Sequence, residues 1–164
     1  LENLEMARTL VHQAGGELEV RPGQQGPSAF RARLVLPVAD QVTVLVIDDN
    51  ADTLDLLERY LVGSRYRFVG TADPREALVL AEERSPAIIV LDVMLPGIDG
   101  WELLGRIRQH PRTCGIPVIV CTILPQEDLA AALGASGLVR KPVTQLAFLS
   151  ALDQQLERIR TEST

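Results

Sequence analysis

The chain has 164 residues, 46% hydrophobic and 23% charged, enough for one well-buried domain with a further segment left over. Its formal net charge of -6 and pI near 4.9 argue against a nucleic-acid surface, which rests on clustered Lys and Arg. No apolar run approaches the roughly 20 residues that span a bilayer, and the start Leu1-Glu2-Asn3-Leu4-Glu5 lacks the positive charge of a signal peptide. The expectation is a soluble, cytoplasmic protein without membrane contact, and the missing initiator Met suggests a piece of something longer. Cys114 and Cys121 lack a metal-ligand spacing, and Cys121 sits inside a strand pattern, where it reads as a small buried hydrophobe.

In chain order, Leu4 to Gly16 reads as a helix with Leu4, Ala7, Leu10 and Val11 on one side and the pair Gly15-Gly16 as its stop. Glu17 to Arg21 forms a short strand, Pro22 to Pro27 a turn and Ser28 to Leu36 a second strand, and a linker over 38–41 follows. From Val42 onward, short β-like runs alternate with helical stretches, which predicts α/β architecture with a parallel sheet. The strands are Val42 to Ile47, Tyr66 to Thr71, Ala87 to Leu91, Pro117 to Cys121 and Ser136 to Arg140. Their unbroken Val/Ile/Leu character fits strands covered by helices on both faces. Helices are predicted over Ala51 to Leu61, from the N-cap pair Asp73-Pro74 to about Arg84, from Gly100 or Trp101 to near His110-Pro111, over Gln126 to Leu133, and over Thr144 to Ile159. His12 and His110 read as surface or capping residues and Trp101 as a helix-packing residue. Pro96-Gly97 and Asp99-Gly100 read first as turn formers.

Carboxylates, a hydroxyl and an ammonium recur where these strands end. Asp48 and Asp49 follow the first, Asp92 the third, Thr122 the fourth and Lys141 the fifth. Strands of an open parallel sheet share one carboxyl edge, so residues distant in sequence converge there. Three carboxylates gathered in this way repel one another unless a cation neutralises them. Oxygen-only ligands with room for water suit Mg²⁺. A phosphoryl group entering such a site would meet the metal, the Lys141 ammonium and the Thr122 hydroxyl, and a carboxylate can be the attacking group. Asp92, alone at its strand end, is the candidate nucleophile, whereas the adjacent Asp48 and Asp49 look like a metal-holding pair. Taken alone, paired aspartates after a strand could instead cap the next helix, as could Asn50.

Val46-Ile47-Asp48-Asp49-Asn50, then Leu91-Asp92-Val93-Met94-Leu95-Pro96-Gly97-Ile98-Asp99-Gly100, then Cys121-Thr122, then Arg140-Lys141-Pro142 resemble the signature of receiver domains of two-component response regulators. The resemblance covers residues 42–160, with 161–164 as a tail. It implies a flavodoxin-like (βα)5 fold, a five-stranded parallel sheet of order 2-1-3-4-5 with helices on both faces and the site at its switch edge. It also implies that Asp92 accepts a phosphoryl group from a phosphohistidine, and that Asp48, Asp49, Asp92 and the main-chain carbonyl of Met94 hold Mg²⁺. Thr122 and Lys141 would contact the phosphoryl group, and Lys141-Pro142 would be a cis peptide. In that family the side chains two places after the acceptor Asp and two places after the Thr border the path of the hydrolytic water; here they are Met94 and Leu124, both apolar. Leu138 stands where the family usually has a Tyr or Phe that swings inward, so an aromatic switch cannot operate in its usual form. Ile123 after Thr122 and the short stretch from Thr122 to Lys141 also depart from the pattern.

The helix, double glycine and hairpin of residues 1–37 resemble the closing segment of the ATP-binding domain of sensor histidine kinases. Leu1 and Asn3 stand where that family has the glycines of its last nucleotide box, so this chain is not expected to bind ATP or to act as an autonomous kinase. The two resemblances in this order imply the carboxyl-terminal part of a hybrid histidine kinase, without a DNA-binding output domain. The expected partners are a histidine kinase catalytic core or a histidine phosphotransfer protein, with a homodimer through the N-terminal segment as a further expectation. The alternative is a receiver-shaped module that regulates a kinase by docking without being phosphorylated.

Overall fold

The computed structural model describes residues 2–13, 16–22, 30–36, 41–124 and 126–162. The chain divides into two compact units, Leu1–Asp40 and Gln41–Thr164. In the first, helix α1 (Glu2–Gln13) precedes strands β1 (Glu17–Pro22) and β2 (Phe30–Val35), which pair antiparallel from Glu17 opposite Val35 to Pro22 opposite Phe30. Leu4, Ala7 and Val11 of α1 are half-buried, but Leu10, expected on the same side, is 59% exposed. It sits one position from Val11 and only the narrower stripe finds cover. The Gly16 N–H bonds to the Val11 carbonyl at 2.9 Å and ends the helix. A Cβ there would lie 2.5 Å from the Val35 carbonyl oxygen, so the close approach of β2 requires glycine. The turn expected between the strands falls mostly on residues 23–29, and Gly15, 38–40 of the linker and 163–164 also lie outside the described residues.

The second unit alternates β3 (Val42–Ile47), α2 (Ala51–Leu61), β4 (Tyr66–Thr71), α3 (Ala77–Arg84), β5 (Ile88–Asp92), α4 (Gly100–Gln109), β6 (Val118–Thr122), α5 (Glu127–Ala132), β7 (Gly137–Arg140) and α6 (Gln145–Glu162). The five strands form one sheet in the order β4-β3-β5-β6-β7, every pair parallel. This is the flavodoxin-like 2-1-3-4-5 order expected from the sequence, with the switch between β3 and β5. The unbroken apolar strands follow from burial on both faces. Val44, Val46, Ile88, Val90 and Ile119 point to one side and pack with Leu57, Phe148 and Leu152 of α2 and α6. Leu45, Ile47, Ile89, Leu91 and Val120 point to the other, against Ala77, Leu104 and Ile107 of α3 and α4. Phe148, Leu152 and Leu104 are fully buried, each contributing roughly 1.5–3 kcal/mol of transfer free energy.

Helix α1 spans Glu2–Gln13 rather than running from Leu4 to Gly16, and in the second unit two helix boundaries differ from the sequence expectation by more than a residue. Asp73 does not begin α3 directly. Its carboxylate accepts the Arg75 N–H, and the Glu76 and Ala77 amides bond three residues back to Asp73 and Pro74, so a tight turn precedes the helix. At the other end α6 continues past Ile159 and Arg160 to Glu162, because no Gly or Pro stops it and Thr161 bonds the Glu157 carbonyl at 2.9 Å. The short α5 is backed by Arg108 of α4, whose guanidinium bonds the Gly134 carbonyl at 2.7 Å and the Ile116 carbonyl at 2.6 Å, tying the approaches to β6 and β7 together. Trp101 packs half-buried against the core, His110 caps α4 and contacts Glu82, and Leu138 is half-buried opposite Val120.

Candidate functional site

Four strand ends supply the site. A strand that stops leaves backbone groups without a ladder partner, and a short polar side chain can turn back to bond the amide two residues on. Three of the strand-end residues do so. Asp48 Oδ1 accepts the Asn50 N–H at 2.9 Å, Asp92 Oδ1 the Met94 N–H at 2.8 Å, and Thr122 Oγ1 the Leu124 N–H at 3.1 Å. Each side chain is thereby fixed by its own backbone. Asn50, one of the capping alternatives left open by the sequence, is the N-cap of α2 and accepts from Asp52 and Thr53. At the next loop, Asp99 caps α4 through the Trp101 N–H at 2.9 Å. A Cβ on Gly100 would lie 2.3 Å from the Val93 Cα, so glycine is needed where α4 passes behind the Asp92 loop.

The second oxygens of the two buried carboxylates face one cation. Lys141 Nζ donates to Asp48 Oδ2 at 2.9 Å and to Asp92 Oδ2 at 2.6 Å. Asp48 and Asp92 are 2% and 4% exposed, while Asp49 is exposed. Burial pulls the Lys141 ammonium downward, but the hydrogen bonds and charges of Asp92 and Asp48 outweigh it and hold Lys141 above its ordinary range. The Lys141 N–H bonds the Thr122 carbonyl at 2.9 Å, and the Lys141–Pro142 peptide is cis. Thr122 is fully buried one place beyond Cys121, which pairs in register with Asp92. Burial, then the neighbouring Asp92 and Asp48 against the opposing pull of Lys141, pushes the Cys121 thiol up to about 12, so it is an inert packing group.

Asp48, Asp49 and Asp92 offer carboxylate oxygens within 4.8 Å of one another. With Lys141 as the cation bonded to Asp48 and Asp92, negative charge remains in excess, and an oxygen-only donor set with one solvent-facing member fits a hard divalent cation. The structure thus brings Asp48, Asp49, Asp92, Thr122 and Lys141 to one sheet edge, with the Met94 amide folded onto Asp92. Met94, Ile123 and Leu124 leave exposed apolar side chains beside them. Sequence reasoning missed one signal. Lys141 is the only lysine in a chain whose other Lys/Arg positions are all arginine, and an ammonium is a compact point charge that two carboxylates can share, unlike a planar guanidinium.

Comparisons with known proteins agree with this fold. Residues 44–153 match the response regulator receiver domain. A 14.6 kDa protein of Leptolyngbya boryana is 38% identical over 118 residues, covering 70% of this chain and 89% of that protein. Response regulator PleD of Caulobacter vibrioides is 37% identical over 110 residues, covering 65% of this chain but only 24% of PleD. Among solved structures, the signal receiver domain of a signal transduction histidine kinase from Syntrophus aciditrophicus superposes with a TM-score of 0.65 at 26% identity, covering 71% of this chain and 91% of that one. With this fold, this strand-end site and these relatives, the chain belongs to the response regulator receiver domain family.

Proposed function

We propose that Asp92 is the phosphoacceptor of a two-component phosphorelay. The observation that supports this most is the setting of its carboxylate, buried, pinned through Oδ1 to the Met94 amide and through Oδ2 to Lys141, among three carboxylates. In the proposed step a carboxylate oxygen of Asp92 forms a bond to the phosphorus of a phosphohistidine. The N–P bond breaks, and the imidazole leaves with the electron pair and takes up a proton. Asp48, Asp49 and Asp92, with the Met94 carbonyl, would hold Mg²⁺, which when bound supplies charge neutralisation to the phosphoryl oxygens. Lys141 moves from a carboxylate pair to a partner for the transferred group, and the Thr122 hydroxyl donates to it.

The partner is the phosphohistidine of a histidine kinase core or of a phosphotransfer protein. We read residues 1–37 as the closing helix and strand pair of a kinase ATP-binding domain, which makes the chain part of a hybrid histidine kinase. The α1-β1-β2 order and the exposed Phe30 and Leu34 on β2 support that reading, since such a strand normally sits within a larger sheet. Sedimentation of the full chain tests whether the segment also pairs with a second copy.

The functional test is to incubate the chain with Mg²⁺ and a small phosphodonor and to weigh it intact. One phosphoryl adduct, acid-stable and base-labile, is expected on the wild type and none on Asp92→Ala, while Asp49→Asn requires more Mg²⁺ for the same labelling. Equal labelling of Asp92→Ala would refute the assignment. No labelling of the wild type would favour a docking module instead.

A further inference from the structure

The loop that carries Lys141 is fastened to α2 by contacts that the phosphoryl chemistry does not use. The Tyr60 hydroxyl donates to the Val143 carbonyl at 3.3 Å, two residues beyond Lys141, and the Gln145 side-chain amide donates to the Tyr60 carbonyl at 3.2 Å. The Tyr60 ring also leans on the fully buried Phe148, with centroids 6.5 Å apart at 49°. Val143 lies outside α6, whose first bond runs from the Phe148 N–H to the Thr144 carbonyl, so no helical amide claims its carbonyl. Tyr60 supplies the donor. Upstream, Lys141 is anchored by its own N–H on Thr122 and by the pairing of β7 with β6.

We propose that Tyr60 is the positioning residue for Lys141. A lysine side chain is long and flexible, and an ammonium that must sit 2.9 Å from Asp48 and 2.6 Å from Asp92 depends on where its Cα is held. The β6 side fixes the start of the loop and Tyr60 fixes its far side. Phenylalanine would fill the same space beside Phe148, so the hydroxyl is the part of Tyr60 that packing alone does not explain. α2 thereby carries the site at both ends. It starts directly after Asp48, Asp49 and the Asn50 cap, and its last turn holds the Lys141 loop.

The rate arm of the test rests on the phosphoacceptor reading, whereas the spectroscopic arm does not. Because Lys141 is the only lysine, a full chain grown with isotope-labelled lysine gives a single side-chain ammonium signal with no assignment needed. In Tyr60→Phe that signal is expected to shift or broaden while the chain still melts cooperatively. Labelling of Asp92 by a small phosphodonor is expected to slow by roughly two- to tenfold, the range of one lost net hydrogen bond. In a Lys141→Gln background the same Tyr60→Phe change should cost nothing further. An unmoved ammonium signal overturns the proposal, as does an equal loss of rate with and without Lys141. A wild type that fails to label sinks the phosphoacceptor reading and leaves the signal to decide Tyr60. If Tyr60→Phe does not fold, Gln145→Ala removes the reciprocal bond and must displace the same signal; no displacement overturns the proposal.

Discussion

Two glycines of α4 make opposite predictions from the same chemical change. Gly100→Ala places a methyl carbon 2.3 Å from the Val93 Cα and 2.8 Å from its carbonyl carbon and oxygen, all backbone atoms. Carbon atoms in contact normally sit about 3.5–4.0 Å apart, so relief requires a backbone shift of about an ångström or more. Overpacking of this kind costs roughly 1–3 kcal/mol, against a helix-propensity gain of at most about 1 kcal/mol at the first helical position. The clash wins. Gly105→Ala, with nothing within 4 Å of the added carbon, has only the propensity gain and is expected to stabilise by roughly 0.5–1 kcal/mol. Urea unfolding, with a slope of about 1–3 kcal/mol per molar, should lower the Gly100→Ala midpoint by about 1 M and raise that of Gly105→Ala. Because Val93 follows Asp92, the displaced backbone should also slow labelling of Asp92 in Gly100→Ala alone. A Gly100→Ala midpoint at or above that of the wild type would refute the reasoning.

Asp153 ties α6 to β4 by accepting from the Tyr66 hydroxyl at 2.5 Å and from Arg65 at 2.6 Å, and the Tyr66 bond, followed by the Arg65 bond and charge, holds its carboxyl below the usual range. A depressed carboxyl stabilises above its unfolded value and loses that contribution as pH falls through the folded one, so Asp153→Asn should be less stable than wild type at neutral pH, by under about 1 kcal/mol because the pair is partly solvated. The difference should close in acid, and a gap that widens there would contradict the sign. The side chains of Met94 and Leu124, 55% and 47% exposed on the loops that follow Asp92 and Thr122, offer a water no hydrogen bond. Met94→Asn and Leu124→Glu are therefore expected to speed loss of phosphoryl by roughly fivefold, as one added hydrogen bond would, when the donor is removed and decay is followed by intact mass; unchanged lifetimes would mean that apolar shielding does not set them.

Much of the sheet was legible because buried parallel strands write themselves as unbroken apolar runs, and the polar residues that end them stand out against that background. Asp48, Asp92, Thr122 and Lys141 were visible for that reason. The α3 boundary was not, because Asp73-Pro74 is equally good chemistry for a helix start and for a tight turn. Thr71 helps settle it, its hydroxyl accepting the Asp73 N–H at 3.1 Å at the end of β4, the same two-residue turn that Thr122 makes with Leu124. Leu10 makes a related point, sharing a side of α1 with half-buried neighbours yet remaining 59% exposed. Periodicity says which residues share a side of a helix, but only the neighbour's width says how many of them are covered. The Tyr60–Val143 contact joins residues 83 apart, and nothing in the spacing of either marks it.

The residue types at the strand ends have a physical explanation that the spacing alone did not give. Closing a turn onto the amide two residues ahead requires an oxygen one or two bonds beyond Cβ, which Asp and Thr have; glutamate, one methylene longer, would reach past it. Asp48 and Asp92 repeat the same division of labour, Oδ1 to the backbone and Oδ2 to Lys141. The backbone bond removes the rotation that a carboxylate would otherwise lose only on meeting a phosphoryl group, so the ordering cost is met during folding. The same logic accounts for a lone lysine across from them. With both carboxylates fixed, one ammonium that can leave Oδ2 for an incoming oxygen would complete the charge balance, and a second fixed cation would compete with any divalent ion for the same three carboxylates.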